Sequence, residues 1–423
     1  LGFGFDLTFE LWHLAFLLFG VLMDSKTLMM LSEKVVANTY SRYPLLLVRG
    51  KGTRVWDLEG EEYLDFVSGL AVCNLGHCHP KVVKAIQDQA EKLIHVSNFY
   101  YIEPQIQLAS LLCKHSFADK VFFCNSGAEA NEGALKLARK YAKEKMGKDR
   151  YEIITMERSF HGRTLATLTA TGQEKFHKGY EPLMPGFKYV PFNDVGAVKN
   201  AIDSKTCAVM VEPIQGEGGV NCPSGGYLKA LREICDEKGL LLIYDEVQVG
   251  MGRTGKLFAY EHDGVEPDML TLAKSLAGGV PIGALLIQKG VADSFKPGDH
   301  ASTFGGNPLA TAAGVAALTT ILEEKMLENC QEMGDYFISR LGEIKGKFPF
   351  VKEVRGKGLI LGMELKVDGS SIVHEMLKKK ILINCTMGNV LRFLPPLIVT
   401  KEEIDRVVKT LEEVFRGISY SSE

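Results

Sequence analysis

Lys274 and Asp245 are the two residues of this chain whose types and spacing most suit covalent chemistry. Asp245 follows the apolar run Leu240–Tyr244 and opens Asp-Glu-Val-Gln248; 29 residues later Lys274 stands in Thr271-Leu-Ala-Lys-Ser-Leu-Ala-Gly-Gly-Val-Pro-Ile-Gly283. Most lysines are solvated surface charges. This one follows the apolar run Met269–Ala273, which carries it toward a buried edge where desolvation frees the amine to act as nucleophile and base. A carboxylate at a neighbouring strand end then suits a pyridinium nitrogen, and the pair reads as a Schiff-base lysine with its charge partner. A Mg²⁺-binding strand end of the nucleotide-hydrolase kind is the competing reading of Asp245-Glu246. It is discounted because the chain lacks the matching glycine-rich GxxxxGK[ST] loop.

Three further runs carry groups that a phosphorylated, planar ligand needs. Phe122-Phe-Cys-Asn-Ser-Gly-Ala-Glu-Ala-Asn-Glu132 passes from an apolar strand into a helix expected over Ala128–Lys145. Ser126, Gly127 and Ala128 thereby present free N–H groups and the positive helix end to an anion, although Ser126 alone would pass for an ordinary helix cap. In Ser159-Phe-His-Gly-Arg-Thr164, Phe160 offers a ring face and Arg163 a guanidinium for a carboxylate, whereas a Phe beside a Gly turn is more often plain core. Gly298-Asp-His-Ala-Ser-Thr-Phe-Gly-Gly-Asn-Pro308 supplies the Ser302 and Thr303 hydroxyls, with a capped turn as its plainer explanation.

The elements that must position these groups can be read around them. Short apolar runs at Lys120–Cys124, Tyr151–Met156, Ala208–Glu212, Leu240–Tyr244 and Met269–Ala273 alternate with helical stretches, which implies an α/β fold with a mainly parallel sheet covered on both faces. Ligands of such sheets collect at the carboxyl ends of the strands, where all the motifs fall. Leu45–Phe66 reads as short strands of a small antiparallel unit. A helix near Asn307–Glu324 precedes a C-terminal α+β portion: a helix near Met326–Lys347, a strand at Gly358–Leu365, a helix near Ile372–Lys379 and a strand at Val390–Phe393.

Composition narrows the class. The chain has 423 residues, 46% of them hydrophobic, enough for a large core in two lobes. A net charge of -3 with no long cationic stripe makes nucleic acid an unsuitable partner, and no metal-ligand spacing stands out. Nine cysteines without CxxC spacing, several in apolar runs, suit a reducing, cytoplasmic compartment. Leu11–Met23 is nearly all apolar, yet no Lys or Arg occurs before Lys26, and the stretch is short for a membrane span. Residues 1–22 are therefore expected to be an extension foreign to the natural protein, which would begin at or near Met23.

Taken together, the motifs resemble those of the pyridoxal-phosphate aminotransferases of fold type I, and among them class III, from about Ser32 to Phe415. The resemblance implies a large cofactor domain at 76–318 and a smaller α+β domain formed by 23–75 and 319–423. It implies pyridoxal 5'-phosphate as cofactor, with Lys274 as Schiff-base lysine and proton carrier, Asp245 on the ring nitrogen, Gln248 near the ring hydroxyl, and Val247 and Phe160 on the two ring faces. Gly127 and Ala128, beside Ser126, would hold the phosphate. Thr303 would complete the phosphate cup of a second subunit, making the protein a homodimer with shared active sites.

On the substrate side the resemblance points to Tyr40, Arg163, Glu217, Ser302 and Arg392. Arg392, in Val390-Leu-Arg-Phe-Leu-Pro-Pro396, matches an arginine that grips the α-carboxylate of glutamate. Glu217, in Glu212-Pro-Ile-Gln-Gly-Glu-Gly218, matches the glutamate that neutralises it when the other donor is bound. Ser97-Asn-Phe-Tyr-Tyr-Ile-Glu-Pro104 and the Lys274 run are most similar to the bacterial acetylornithine branch. Leu70 stands where the ornithine branch carries a tyrosine, and an apolar residue suits an acylated amine. The implied reaction moves the δ-amino group of N-acetylornithine to 2-oxoglutarate, giving N-acetylglutamate 5-semialdehyde and glutamate. Ornithine and succinyldiaminopimelate are the alternative donors, and glutamate-1-semialdehyde aminomutase the more distant alternative.

Overall fold

A computed structural model describes residues 24–418 and 420; the expectation about residues 1–22 lies outside them. Two compact units are present. The first takes the described part of Leu1–Gly50 with Arg54–Tyr63, the second Lys51–Thr53 with Leu64–Glu423.

In the first unit, Asp24 caps the helix Ser25–Val35 by accepting the Thr27 N–H at 2.7 Å. Strands β1 (Leu47–Lys51), β2 (Arg54–Asp57) and β3 (Glu62–Asp65), of which Lys51, Leu64 and Asp65 count with the second unit, fall where short strands were expected. Arg49 lies 4.0 Å over the Trp56 ring, and Tyr63 Oη donates to Asp57 Oδ2 at 2.9 Å. Tyr40 belongs to this unit and is exposed, with the Arg42 guanidinium 5.4 Å from its ring centre.

The second unit is built on a seven-stranded sheet of β4 (Lys120–Cys124), β5 (Glu152–Met156), β6 (Phe187–Val190), β7 (Thr206–Val211), β8 (Leu241–Asp245), β9 (Met269–Leu272) and β10 (Gly283–Ile287). Their order is β4-β10-β9-β8-β7-β5-β6. β5 through β9 pair in parallel, and β10 runs antiparallel between β4 and β9. Every residue of β7 and β8 is buried, which is why these strands read as unbroken apolar runs. The five expected strands are present within a residue or two. β6 and β10 add to them, the latter formed by Gly-Ala-Leu-Leu-Ile287 directly after the glycine-rich turn.

The helix after β4 spans Gly127–Tyr141, not Ala128–Lys145 as expected; the chain widens into a π turn at Ala142–Met146 before Gly147. Further on, Asn307 caps the helix Pro308–Glu323, and Met326–Lys347 follows. A second sheet of β11 (Val351–Lys357), β12 (Ile360–Leu365), β14 (Asn384–Thr386) and β15 (Val390–Phe393) has the order β11-β12-β15-β14. The short β13 (Ile381–Leu382) pairs in parallel with Leu64 and Asp65. Arg253, fully buried, donates to the Leu359 carbonyl at 2.9 Å and the Pro395 carbonyl at 2.5 Å, fixing the chain just beyond β15.

Candidate active site

Asp245 is delivered by the carboxyl end of β8 and is 4% exposed. Its Oδ2 accepts from Asn131 Nδ2 at 2.8 Å and lies 2.7 Å from His161 Nδ1, while Oδ1 accepts the Val247 N–H at 3.0 Å. Asn131 in turn donates to the His161 carbonyl at 2.7 Å and accepts from Thr271 Oγ1 at 2.7 Å. The carboxylate is thus fixed by the helix after β4, the loop after β5 and strand β9. Neither Asn131 nor His161 was singled out from the sequence, although both stood inside the runs that were. The signal for the first is a polar residue at helical spacing from Ala134, Leu135 and Ala138, on the face that the helix buries. Burial opposes protonation of His161, but the Asp245 hydrogen bond and the Asp245 and Glu212 charges prevail and raise its pKa. Its Nε2 is buried and has no hydrogen-bond partner among the described residues.

Lys274 begins a 3₁₀ turn, Lys274–Ala277, immediately beyond β9, and has φ +34°, a backbone region that non-glycine residues seldom occupy. Burial, reinforced by the Arg392 charge, lowers the amine's pKa against the opposing pull of Asp245, Glu212 and Glu217. An amine held below the ordinary lysine range is available unprotonated nearer neutral pH.

At the amino end of Gly127–Tyr141, Ser126 Oγ accepts the Glu129 N–H at 3.1 Å, so Ser126 is a true helix cap as well as a member of the turn. The Gly127 and Ala128 N–H groups meet no acceptor among the described residues. A Cβ on Gly127 would lie 2.6 Å from Val247 Cγ1, so the glycine lets the two segments close together. Ser302 Oγ accepts from Asn125 Nδ2 at 3.1 Å, which ties the 302 loop to this turn; Thr303 beside it is exposed. Phe160 donates its backbone N–H to Glu212 Oε2 at 2.9 Å and packs edge-on to Phe176. Arg163 is exposed, with its guanidinium 4.1 Å over the Phe176 ring.

Arg392 on β15 is 1% exposed and is met by three groups. Nη2 pairs with Glu217 Oε2 at 3.1 Å, Nη1 donates to Gln248 Oε1 at 3.3 Å, and Nε donates to Asn384 Oδ1 at 3.0 Å. Glu212, at the end of β7, has its carboxyl pushed up to about 7, first by burial, with Asp245 adding to the rise and His161 opposing it. The structure therefore brings Lys274, Asp245, Glu212, Glu217, Gln248 and Arg392 into one electrostatic cluster at the strand ends. No group of three or more His, Cys, Asp or Glu residues suits a metal among the described residues.

A buried carboxylate at a strand end, a desolvated lysine after the next strand and a helix start with free N–H groups together define an enzyme of the aminotransferase kind. The chain matches the class-III aminotransferase family over residues 35–415, and it belongs to that family. It is 58% identical over 389 residues to the acetylornithine aminotransferase of Caldanaerobacter subterraneus subsp. tengcongensis, covering 92% of this chain and 99% of that one. The acetylornithine aminotransferase of Methanocaldococcus jannaschii is 56% identical, with 92% and 98% covered. Among solved structures, the ornithine aminotransferase of Toxoplasma gondii ME49 superposes with a TM-score of 0.91 at 39% identity, with 94% and 96% covered. The acetylornithine aminotransferase of Elizabethkingia anophelis gives 0.85 at 36%, with 94% and 100% covered.

The family depends on pyridoxal 5'-phosphate. The residues present fit it: two unengaged backbone N–H groups at a helix start suit a phosphate, and a buried carboxylate held by three donors suits a ring nitrogen bearing a proton.

Proposed function

We propose that the protein transfers the δ-amino group of N-acetylornithine to 2-oxoglutarate, with Lys274 and Asp245 as catalytic residues. The observation that carries this reading is the Arg392–Glu217 pair, a fully buried guanidinium faced by a carboxylate that is itself 34% exposed. One pocket must accept glutamate, whose second carboxylate needs a cation, and then a donor that brings no charge to that point. With Glu217 in place Arg392 is neutralised; with Glu217 withdrawn it can hold the glutamate α-carboxylate.

Bound in this cluster, pyridoxal phosphate supplies an electron sink that makes the substrate C–H bond acidic. Gly127 and Ala128, beside the Ser126 cap, hold its phosphate, and Asp245 keeps a proton on the ring nitrogen. Gln248 serves the ring hydroxyl, and Val247 and Phe160 enclose the ring. Lys274 would serve as base and acid, carrying the proton that leaves the substrate carbon. Arg163, exposed on the chain alone, holds the α-carboxylate of the ω-amino donor, and Tyr40 and Ser302 contribute to the substrate side.

Leu70 supports an acylated donor: its segment Ser68–Ala71 lies against Lys274–Ala277, the one hydroxyl there, that of Ser68, is buried and donates to the Leu394 carbonyl, and Leu70 itself brings neither hydroxyl nor charge to a free ammonium. The names of the acetylornithine aminotransferase relatives point the same way.

The protein acts as a homodimer in the cytoplasm, and Thr303 completes the partner subunit's phosphate cup. Phe99 and Tyr101 are 93% and 98% exposed, and Asn98 beside them bonds the Ser302 and Gly305 carbonyls, so an apolar face adjoins the Thr303 loop. Nine free cysteines support a reducing compartment. The small domain comprises 23–75 and 319–423 and the large domain 76–318; within the second unit, pairing of β13 with Leu64 and Asp65 supports grouping the stretch from Leu64 with the C-terminal part.

Two experiments test this reading. Specificity constants with 2-oxoglutarate should favour N-acetylornithine over ornithine and succinyldiaminopimelate, and a preference for either of the others would reassign the donor. Arg392→Ala should slow the glutamate half-reaction by about 100-fold or more while changing the acetylornithine half-reaction by less than about threefold, the loss expected for one charge-assisted carboxylate contact. Equal losses in single-turnover measurements of the two would reject the switch.

A further inference from the structure

A switch of this kind needs one fixed arm and one moving arm, and the surroundings of Arg392 and Glu217 show how each is held. Arg392 sits directly opposite Asn384 in the β14–β15 register, and Asn384 Oδ1 takes its Nε–H at 3.0 Å. A guanidinium can receive a carboxylate on its Nε/Nη2 side or on its Nη1/Nη2 end. With Nε committed to Asn384, only the end remains, and that end faces Gln248 and Glu217.

Glu217 is held differently. Its carbonyl accepts from Thr386 Oγ1, and the turn beyond it is clamped by Arg355, which donates to the Gly219 carbonyl at 2.7 Å and the Val220 carbonyl at 3.0 Å. Arg355 is itself anchored to Glu364 at 2.6 Å. The backbone of the turn is thus fixed on the β11–β12–β15–β14 sheet, and the carboxylate is the part left free to swing.

We propose that Asn384 is a positioning residue for transamination: by occupying the Nε–H of Arg392 it aims the Nη1/Nη2 end at the pocket, so that a dicarboxylate substrate is gripped end-on once Glu217 moves aside. The proposal rests on the switch assigned above. Asn384 acts through Arg392.

The test uses the holoenzyme of Asn384→Leu, which removes the acceptor, and of Asn384→Asp, which keeps an acceptor but adds a charge that neutralises Arg392. Binding of glutarate, an unreactive dicarboxylate, is measured by calorimetry, and the two half-reactions by single turnover. Expected are a roughly tenfold weaker glutarate affinity for the Leu variant, a larger loss for the Asp variant, and acetylornithine rate constants within about threefold of wild type. A merely structural role would lower both half-reactions together, and that result overturns the proposal, as does unchanged glutarate affinity in both variants. Arg392→Ala separates the two levels. If it loses glutarate while both Asn384 variants keep it, only the positioning role fails; if it too keeps glutarate, the switch fails and the positioning role with it.

Discussion

Lys274→Ala is expected to lower turnover by about four orders of magnitude while the purified protein still binds pyridoxal phosphate. General acid–base transfer by one placed group contributes about 10²- to 10⁴-fold, and covalent participation adds to that. In the proposed site phosphate binding would fall to Gly127 and Ala128 and nitrogen binding to Asp245, and neither would depend on the lysine. Burial lowers the amine's pKa, and Lys274 opens a 3₁₀ turn with a φ of +34° that non-glycine residues seldom adopt. Activity within tenfold of wild type, measured with N-acetylornithine and 2-oxoglutarate, would refute the role.

The second large effect is expected for Asp245→Asn, with kcat reduced about 10²- to 10³-fold, equivalent to about 3–4 kcal/mol of lost transition-state stabilisation. The substitution keeps the side-chain shape but removes the charge that is proposed to hold a proton on the ring nitrogen. It also turns an acceptor into a donor where His161 Nδ1 and Asn131 Nδ2 both approach Oδ2. Because these partners are buried, the amide cannot satisfy all of them, and weaker cofactor affinity should accompany the loss of rate. A kcat within tenfold of wild type, at saturating cofactor, would show that the carboxylate does not carry this role.

How much of this was legible beforehand follows from which features are local. Asp245 at the end of an apolar run, Lys274 after the next run and Ser126-Gly127 before a helix are patterns of a few residues each, and the structure places all of them at strand ends. The central strands β7 and β8 were readable because full burial makes them continuous apolar runs. What escaped depends on contacts between distant segments. The Asn131–Asp245 and His161–Asp245 bonds join residues far apart in the chain, and nothing in either local run marks the partner. Asn384 gains meaning only from its register opposite Arg392.

Two omissions were local. β10 follows a glycine-rich turn so closely that Gly283 read as part of the turn, whereas its missing Cβ is what admits the Ser126 carbonyl. The last helix, Lys401–Arg416, opens on the Thr400/Glu403 capping box, a signature local enough to stand in the sequence.

Lys274 is proposed to supply the amine that joins the cofactor. Borohydride reduction of the holoenzyme, followed by proteolysis and mass spectrometry, tests it most directly. The account predicts a single pyridoxyl-phosphate adduct, on the peptide containing Lys274, which disappears in Lys274→Ala; an adduct on another lysine in the native enzyme would contradict it.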